Sequence, residues 1–367
     1  MIRTLRSYIV SSARERLEGA QVWVVKIGSA LLTRDGVGID ARGIDGWCKQ
    51  ISALLDDGKR VALVTSGAVA EGFRRLGFTE RPDSIHELQA AAAVGQMGIV
   101  QAYEKSFRHH SRRTALVLLT HDDLSDRQRY LNARGTLRTL LNYGVVPIIN
   151  ENDSVATDEI QLGDNDTLAA RVASLVSADV LVLLTDQEGL HEDDPRVRPD
   201  APMVSERSAF DSKLDDMVGS GTGALGRGGM VTKLEASRYA ARAGCHTVIA
   251  NGREQDILSA IANGRNVGTI LTADVAPLDA RKQWIAAQVQ NAGGITLDAG
   301  AVKAVLERGV SVLAVGVTDV HGNFGRGDVV RISGPDGVEV GKGLVNYGAV
   351  ETDLIKGHGS AAIEEML

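Results

Sequence analysis

The stretch VWVVKIGS at residues 22–29 decides the fold. Its first six residues are apolar apart from Lys26, they are rich in β-branched valine and isoleucine, and the run stops abruptly at Gly28 and Ser29. A strand with one wet face alternates polar and apolar residues. A run that does not alternate marks a strand covered on both faces, as in a parallel sheet between two layers of helices. Five further runs share the design: VALVTSGA (61–68), TALVLLTHDD (114–123), VVPIINEND (145–153), VLVLLTDQEG (180–189) and HTVIANG (246–252). Stretches of helical periodicity lie between them, at 44–57, 84–107, 124–141, 164–177 and 229–243. Strands alternating with helices predict an α/β fold, an αβα sandwich with a mainly parallel central sheet.

The pattern changes near Leu271. A polar connection follows, and beyond Gly293 the chain turns to glycine and short strands: SVLAVGV (311–317), DVVRIS (328–333) and VEVGKGLVNYG (338–348), with AGAVKAVLERG (299–309) as one helix. A second, small, mostly-β domain is expected there. A chain of 367 residues exceeds the size at which one core usually stops growing. The expected boundaries are an extension over 1–20, a large domain over 21–271, a linker over 272–289 and a small domain over 290–367.

Hydrophobic residues make up 44% and charged residues 24%, which suits a globular chain and not a disordered one. A net charge of -7 argues against a polyanionic partner unless basic residues gather on one face. Cys48 and Cys245 stand alone, so neither a disulfide framework nor a thiolate zinc site is indicated and a reducing compartment fits. No apolar stretch suggests a secretion signal or approaches the roughly 20 residues of a membrane span. A cytoplasmic location is expected.

In open α/β sheets ligands bind beyond the carboxyl ends of the strands. The polar residues that terminate these runs are Lys26, Gly28 and Ser29, then Ser66 and Gly67, then Asn150 to Asp153, then Thr185 and Asp186. Each alone reads as an ordinary turn or cap residue, whereas recurrence at one end of several strands reads as a site. The glycine-rich piece GSGTGALGRGGM (219–230) contains G-x-G-x-x-G but follows a polar segment instead of a strand, which excludes a Rossmann fingerprint. The sequence has no P-loop motif either. What fits is a glycine loop opening a helix at Gly229, with Lys233 in the first turn, where backbone N–H groups and the helix dipole attract phosphate; a plain surface loop fits equally. The clusters INEND and GDND carry Glu151, Asp153, Asp164 and Asp166 within a short span. Capping accounts for one of these at most, so cations are required nearby: lysines such as Lys26 and Lys233, a magnesium ion on nucleotide phosphates, or a substrate ammonium group.

With VVKIGSALLT, VTSGAVAEG, VGQ, RYLNAR, VPIINENDSVAT, GDNDTLAA, LLTDQEGLHEDDPR and LGRGGMVTKLEA in this order, the chain resembles the amino acid kinase family, and within it the branch acting on glutamate. GGITLDAGAVKAVLERGVSVLAVGV and GNFGRGDVVRI resemble a PUA domain, whose pattern implies one further strand beyond Leu367. The resemblance implies that Ser66, Gly67, Asn150, Asp153 and Asn165 bind L-glutamate, with Asp153 meeting its ammonium group. It implies that Thr185 and Asp186 line the ATP site and that Arg227, Gly228, Gly229, Met230, Val231, Thr232 and Lys233 wrap the phosphates. Lys26 and Lys233 would flank the transferring phosphoryl group, with Asp166 holding both, and Mg2+ would be held mainly by the nucleotide and water, not by a protein cage.

The implied reaction is ATP-dependent phosphorylation of the glutamate γ-carboxylate, the first step of proline biosynthesis. A side chain with a pKa of about 4.3 is already ionised at neutral pH, so no general base is needed. Acetylglutamate or aspartate as acceptor is the alternative within the family. The resemblance further implies a homo-oligomer, dimer or tetramer, proline as feedback inhibitor, and coupling to a glutamyl phosphate reductase. PUA domains elsewhere bind RNA, but Lys303, Arg308, Arg326, Arg331, Lys342 and Lys356 are scattered among acidic residues with little aromatic interleaving, which argues against RNA here. Arg227 stands where relatives usually carry a small polar residue, and His191 where they carry a tyrosine.

Overall fold

The computed structural model describes residues 13–33, 38–78, 84–155, 165–195, 197–218, 229–273, 293–308, 310–326 and 328–359, with 362, 363 and 366. They form two compact units, one within Met1–Ser125 and Ala133–Pro277, the other within Asp126–Asn132 and Leu278–Leu367. The first holds strands β1 (Val22–Ile27), β2 (Arg60–Val64), β3 (Arg113–Leu119), β4 (Val145–Glu151), β5 (Val180–Thr185), β6 (Glu206–Ser208), β7 (His246–Asn251) and β8 (Thr269–Thr272). They make one sheet in the order β3-β4-β2-β1-β5-β7-β8-β6. Every neighbouring pair is parallel except β7–β8. The helices along the chain are α1 (Ala13–Glu18), α2 (Ser29–Leu32), α3 (Ala41–Asp56), α4 (Ala68–Leu76), α5 (Ile85–His109), α6 (His121–Ser125), α7 (Arg127–Asn142), α8 (Asn165–Val176), α9 (Lys213–Val218), α10 (Met230–Arg242), α11 (Ile257–Ala262), α12 (Ala299–Arg308) and α13 (Ala349–Ile355).

The two faces of the sheet are filled by alternate residues of each strand. Trp23, Val25 and Ile27 of β1, Leu63 of β2, Ile148 of β4 and Val182 of β5 share a core with Ile44 and Ile51 of α3 and Tyr103 and Phe107 of α5. Because side chains alternate along a strand, Val24 and Lys26 point the other way. That second face is covered by α8, packed on β1, β2, β4 and β5, and by α10, packed on α8, β5 and β7. Lys26 is therefore the one charge of an otherwise apolar strand, aimed between two helices.

Helices α4 and α5 cross with their backbones in contact. A Cβ on Gly72 would lie 1.7 Å from the Ala91 carbonyl oxygen, and one on Gly95 would lie 1.8 Å from the Ala68 carbonyl oxygen. Only glycine permits this approach. At the amino end, α1 belongs to the same core through Ala13 and Leu17. Its buried Arg14 donates to the carbonyls of Ser205, Arg265, Val267 and Gly268 at 2.8–3.0 Å, which satisfies much of its donor capacity inside the protein.

Two expected elements differ in the structure. The helix read over 124–141 is interrupted at Asp126, whose Oδ1 accepts from the Arg129 N–H at 2.8 Å and caps α7. The strand read over 311–317 is a 3-10 turn at Ala314–Gly316, with Leu313 and Val315 exposed, and pairing begins only at Val317. Only part of the run is covered: Val312 packs on the small core and Val317 belongs to it, while Leu313 and Val315 stay outside.

The second unit is built on β9 (Gly293–Leu297), β10 (Val317–Gly322), β11 (Val329–Ser333) and β12 (Glu339–Leu344), in the order β10-β9-β11-β12. Its β9–β11 pair is parallel and the other two are antiparallel. Ile295, Leu297, Val317, Phe324, Val330 and Ile332 form its core, separate from that of the large sheet.

Candidate active site

Parallel pairing brings the polar strand ends to one edge of the sheet. The Gly28 N–H donates to the Leu184 carbonyl at 3.1 Å and the Thr65 N–H to the Ile149 carbonyl at 2.9 Å. Lys26, Ser66, Gly67, Asn150 and Thr185 consequently stand along adjacent strands β4, β2, β1 and β5 at their carboxyl ends. A Cβ on Gly28 would crowd the Leu184 carbonyl oxygen at 3.3 Å and lie in ordinary contact with Lys26 Nζ at 3.9 Å.

A single carboxylate organises the lysines. Asp166, in the first turn of α8, accepts from Lys26 Nζ at 2.6 Å on one oxygen and from Lys233 Nζ at 3.0 Å on the other. Lys233 stands in the first turn of α10, where Thr232 Oγ1 also donates to Asp166 at 3.1 Å and lies 2.9 Å from the Gly229 carbonyl. All three charged groups are buried. Burial alone would push the Asp166 carboxyl up, but the ammonium groups of Lys26 and Lys233 outweigh it and hold the group below the usual carboxylate range. The result is a fixed pair of cations with one net positive charge at the mouth of two helices, a field suited to phosphate.

Beside this bridge lies a chain of side-chain amides. Asn165 Nδ2 donates toward the Thr65 carbonyl at 2.6 Å, Ser66 Oγ at 3.0 Å and Asn150 Oδ1 at 2.9 Å. Asn150 is buried, and its Nδ2 donates to Gln96 Oε1 at 2.7 Å. Gly67 holds a left-handed φ of 88° and opens α4, which turns the chain sharply after Ser66. Asp153 is half-buried in the turn after β4. On the other side of the lysines, Thr185 Oγ1 donates to Asp186 Oδ1 at 3.1 Å at the end of β5. Gly229 caps α10, and half-buried Met230 and exposed Val231 belong to the same first turn as buried Lys233.

Lys26, Asp166, Thr232 and Lys233 are thus in direct contact, and Ser66, Asn150 and Asn165 form a second contiguous group. Arg227, Gly228 and Asp164 lie outside the described residues, as does most of the glycine-rich loop. Gln96, which completes the amide chain, was not among the expected site residues; the only signal for it was the VGQ segment. Among the described residues, no group of three His, Cys, Asp or Glu side chains is placed to hold a metal ion, and no helix is long and apolar enough to cross a membrane.

Buried lysines bridged by an aspartate at the carboxyl ends of parallel strands, beside a helix N-terminus, define a phosphate-handling α/β enzyme. The chain belongs to the amino acid kinase family, whose model matches residues 21–251, and residues 293–367 match the PUA domain. Several relatives carry the name Glutamate 5-kinase. That of Ectopseudomonas mendocina (strain ymp) is 56% identical over 96% of this chain and 95% of its own length. That of Thioalkalivibrio sulfidiphilus (strain HL-EbGR7) is 56% identical over 98% and 96%. That of Pseudomonas syringae pv. tomato (strain ATCC BAA-871 / DC3000) is 56% identical over 95% and 94%.

Proposed function

We propose that this chain is a glutamate 5-kinase, a transferase that moves the γ-phosphoryl group of ATP onto the γ-carboxylate of L-glutamate and so opens proline biosynthesis. The observation that carries this reading is the Lys26–Asp166–Lys233 bridge standing beside the Asn165–Asn150 amide chain, in a chain whose near full-length relatives bear that name. The acceptor carboxylate is anionic at neutral pH and needs no deprotonation. The obstacle is repulsion between that anion and a triphosphate. Lys26 and Lys233 reduce it from fixed positions, and the N-terminus of α10 adds its dipole. Asp166 keeps both ammonium groups at the strand end so that no reorganisation is needed as charge shifts to the leaving oxygen. Ser66, Gly67, Asn150, Asp153 and Asn165 hold the glutamate, with Asp153 toward its ammonium group. Thr185 and Asp186 line the nucleotide site, and Arg227 to Lys233 wrap the phosphates. Magnesium, bound by the nucleotide phosphates and water, supplies further charge neutralisation when present.

In-line transfer gives γ-glutamyl phosphate and ADP without a phosphoenzyme. The same reading takes the chain as a cytoplasmic homo-oligomer, dimer or tetramer, inhibited by proline and coupled to a glutamyl phosphate reductase. It places the kinase domain over 21–271 and the PUA domain over 290–367. Hydroxylamine added to ATP, magnesium and candidate acids traps an acyl phosphate as a coloured hydroxamate. We expect colour with L-glutamate; colour with acetylglutamate or aspartate but not glutamate overturns the substrate assignment.

A further inference from the structure

Gln96 lies on α5 with 8% of its surface exposed, and its Nε2 has no hydrogen-bond partner among the described residues. The polarity of the amide chain makes this orphan a donor of necessity. The group of Asn165 that faces the Thr65 carbonyl at 2.6 Å must be the NH2, because two acceptors cannot approach so closely. The Asn150 atom 2.9 Å from that NH2 must then be an oxygen, which turns the Asn150 NH2 toward Gln96. Gln96 must meet that NH2 with its own oxygen, at 2.7 Å. Rotating any one of the three amides would set two donors or two acceptors against each other. One main-chain carbonyl thus fixes three side chains and leaves an NH2 group at the far end. A buried donor left unsatisfied is costly, which points to an acceptor arriving from outside the described residues.

Its place is equally fixed. Gln96 follows Gly95, the residue pressed against the Ala68 carbonyl, two positions beyond Ser66. The α4–α5 crossing therefore seats Gln96 against the same Ser66–Asn150–Asn165 group assigned to the amino-acid substrate.

We propose that Gln96 is a further substrate-binding residue: its Nε2–H donates to a carboxylate oxygen of the bound amino acid while its Oε1 holds Asn150 in the orientation described above. The proposal rests on the glutamate kinase reading and extends it by one residue. A carboxylate is the substrate group that carries only acceptors, and a hydrogen bond to a charged acceptor is stronger than one to a neutral acceptor.

Two substitutions test it by steady-state kinetics in the hydroxamate assay. Gln96→Met keeps the length but removes both the donor and the oxygen that holds Asn150, and we expect the KM for glutamate to rise about tenfold or more, with the KM for ATP within about twofold of wild type. Gln96→Glu keeps the oxygen that holds Asn150 and replaces the NH2 by an anion, so the rise in glutamate KM should be larger still. A residue with a merely structural role would lower the melting temperature and disturb both KM values together. Should neither variant fold, wild-type protein labelled with 15N-glutamine provides the reading. A side-chain amide resonance should shift when glutamate is added and stay in place with ATP alone, and the absence of any such shift overturns the proposal. Unchanged glutamate KM in both variants, with wild type making hydroxamate, overturns the role of Gln96 alone. A wild type that makes none from glutamate overturns the substrate reading and this role with it.

Discussion

A carboxylate as buried as Asp166 stays charged because two ammonium groups stand 2.6 and 3.0 Å from it. Removing one member of such a cluster leaves uncompensated charge in a low dielectric, so we expect Asp166→Asn to cost about 3–5 kcal/mol in a denaturant titration. The pH dependence follows from the direction of the shift. A carboxyl held below its ordinary 3.8 in the folded chain contributes stability that is complete above that value and disappears as the pH falls through the lower, folded one. Between pH 5 and 8 the group should add no slope to stability, and below about pH 4 the wild type should lose more stability than Asp166→Asn. Equal acid slopes would mean that folding does not lower the proton affinity of the Asp166 carboxyl. For Lys233→Ala we expect kcat to fall about 100-fold or more while the glutamate KM moves far less, because its charge acts on the transferring group. An unchanged kcat would remove Lys233 from that role. Lys26 was legible in the sequence as a lone charge inside an apolar run. Gln96 was not, since one polar residue in the helical stretch AAAAVGQMG looks like part of a wet face, and only the fold turns it inward.

Among the elements, the α4–α5 crossing is the one on which the site depends most directly, because it carries both the turn after Ser66 and Gln96. We expect Gly95→Ala to destabilise the chain by about 1–3 kcal/mol, since its Cβ would fall 1.8 Å from a main-chain oxygen that can move only with its helix. It should also raise the glutamate KM. Gly46, on the exposed side of α3 with nothing within 4 Å of where a Cβ would stand, is the contrast: Gly46→Ala should stabilise by about 0.5–1 kcal/mol and leave the KM alone. Melting temperatures and glutamate titrations on the two variants separate close packing from plain helix propensity. Five of the six long strands were legible because burial on both faces removes alternation, whereas β3, at the sheet edge, is as apolar in sequence although Leu116 is exposed and only Leu119 is buried. The shorter β6 and β8, of three and four residues, gave no run long enough to read. The break at Asp126 was hidden because apolar residues continue on both sides of it, and the cap is a single hydrogen bond. SVLAVGV misled for the opposite reason: its apolar residues are real, but Leu313 and Val315 face solvent.

Among the described residues, the hydrophobic core around the large sheet and the one around β9 and β11 share no residue. Separate cores allow separate cooperative transitions, and ligands stabilise only the unit that binds them. Every described residue assigned here to glutamate or ATP, from Lys26 to Lys233, falls in the larger unit. Calorimetry with ATP, magnesium and glutamate should therefore raise one transition and leave the other in place. At a free ligand concentration of about 100 times Kd the stabilisation amounts to about 2.7 kcal/mol, well within reach of a scan. The same scan on Asp166→Asn should show the upward shift reduced together with a lower starting temperature for that transition, because the aspartate supports both the fold and the phosphate field. The transition of the small unit should be the same in wild type and variant. A single transition that moves as one body on ligand addition would mean that the two cores unfold together, and the small domain would then have to be counted as part of the machinery that holds the site.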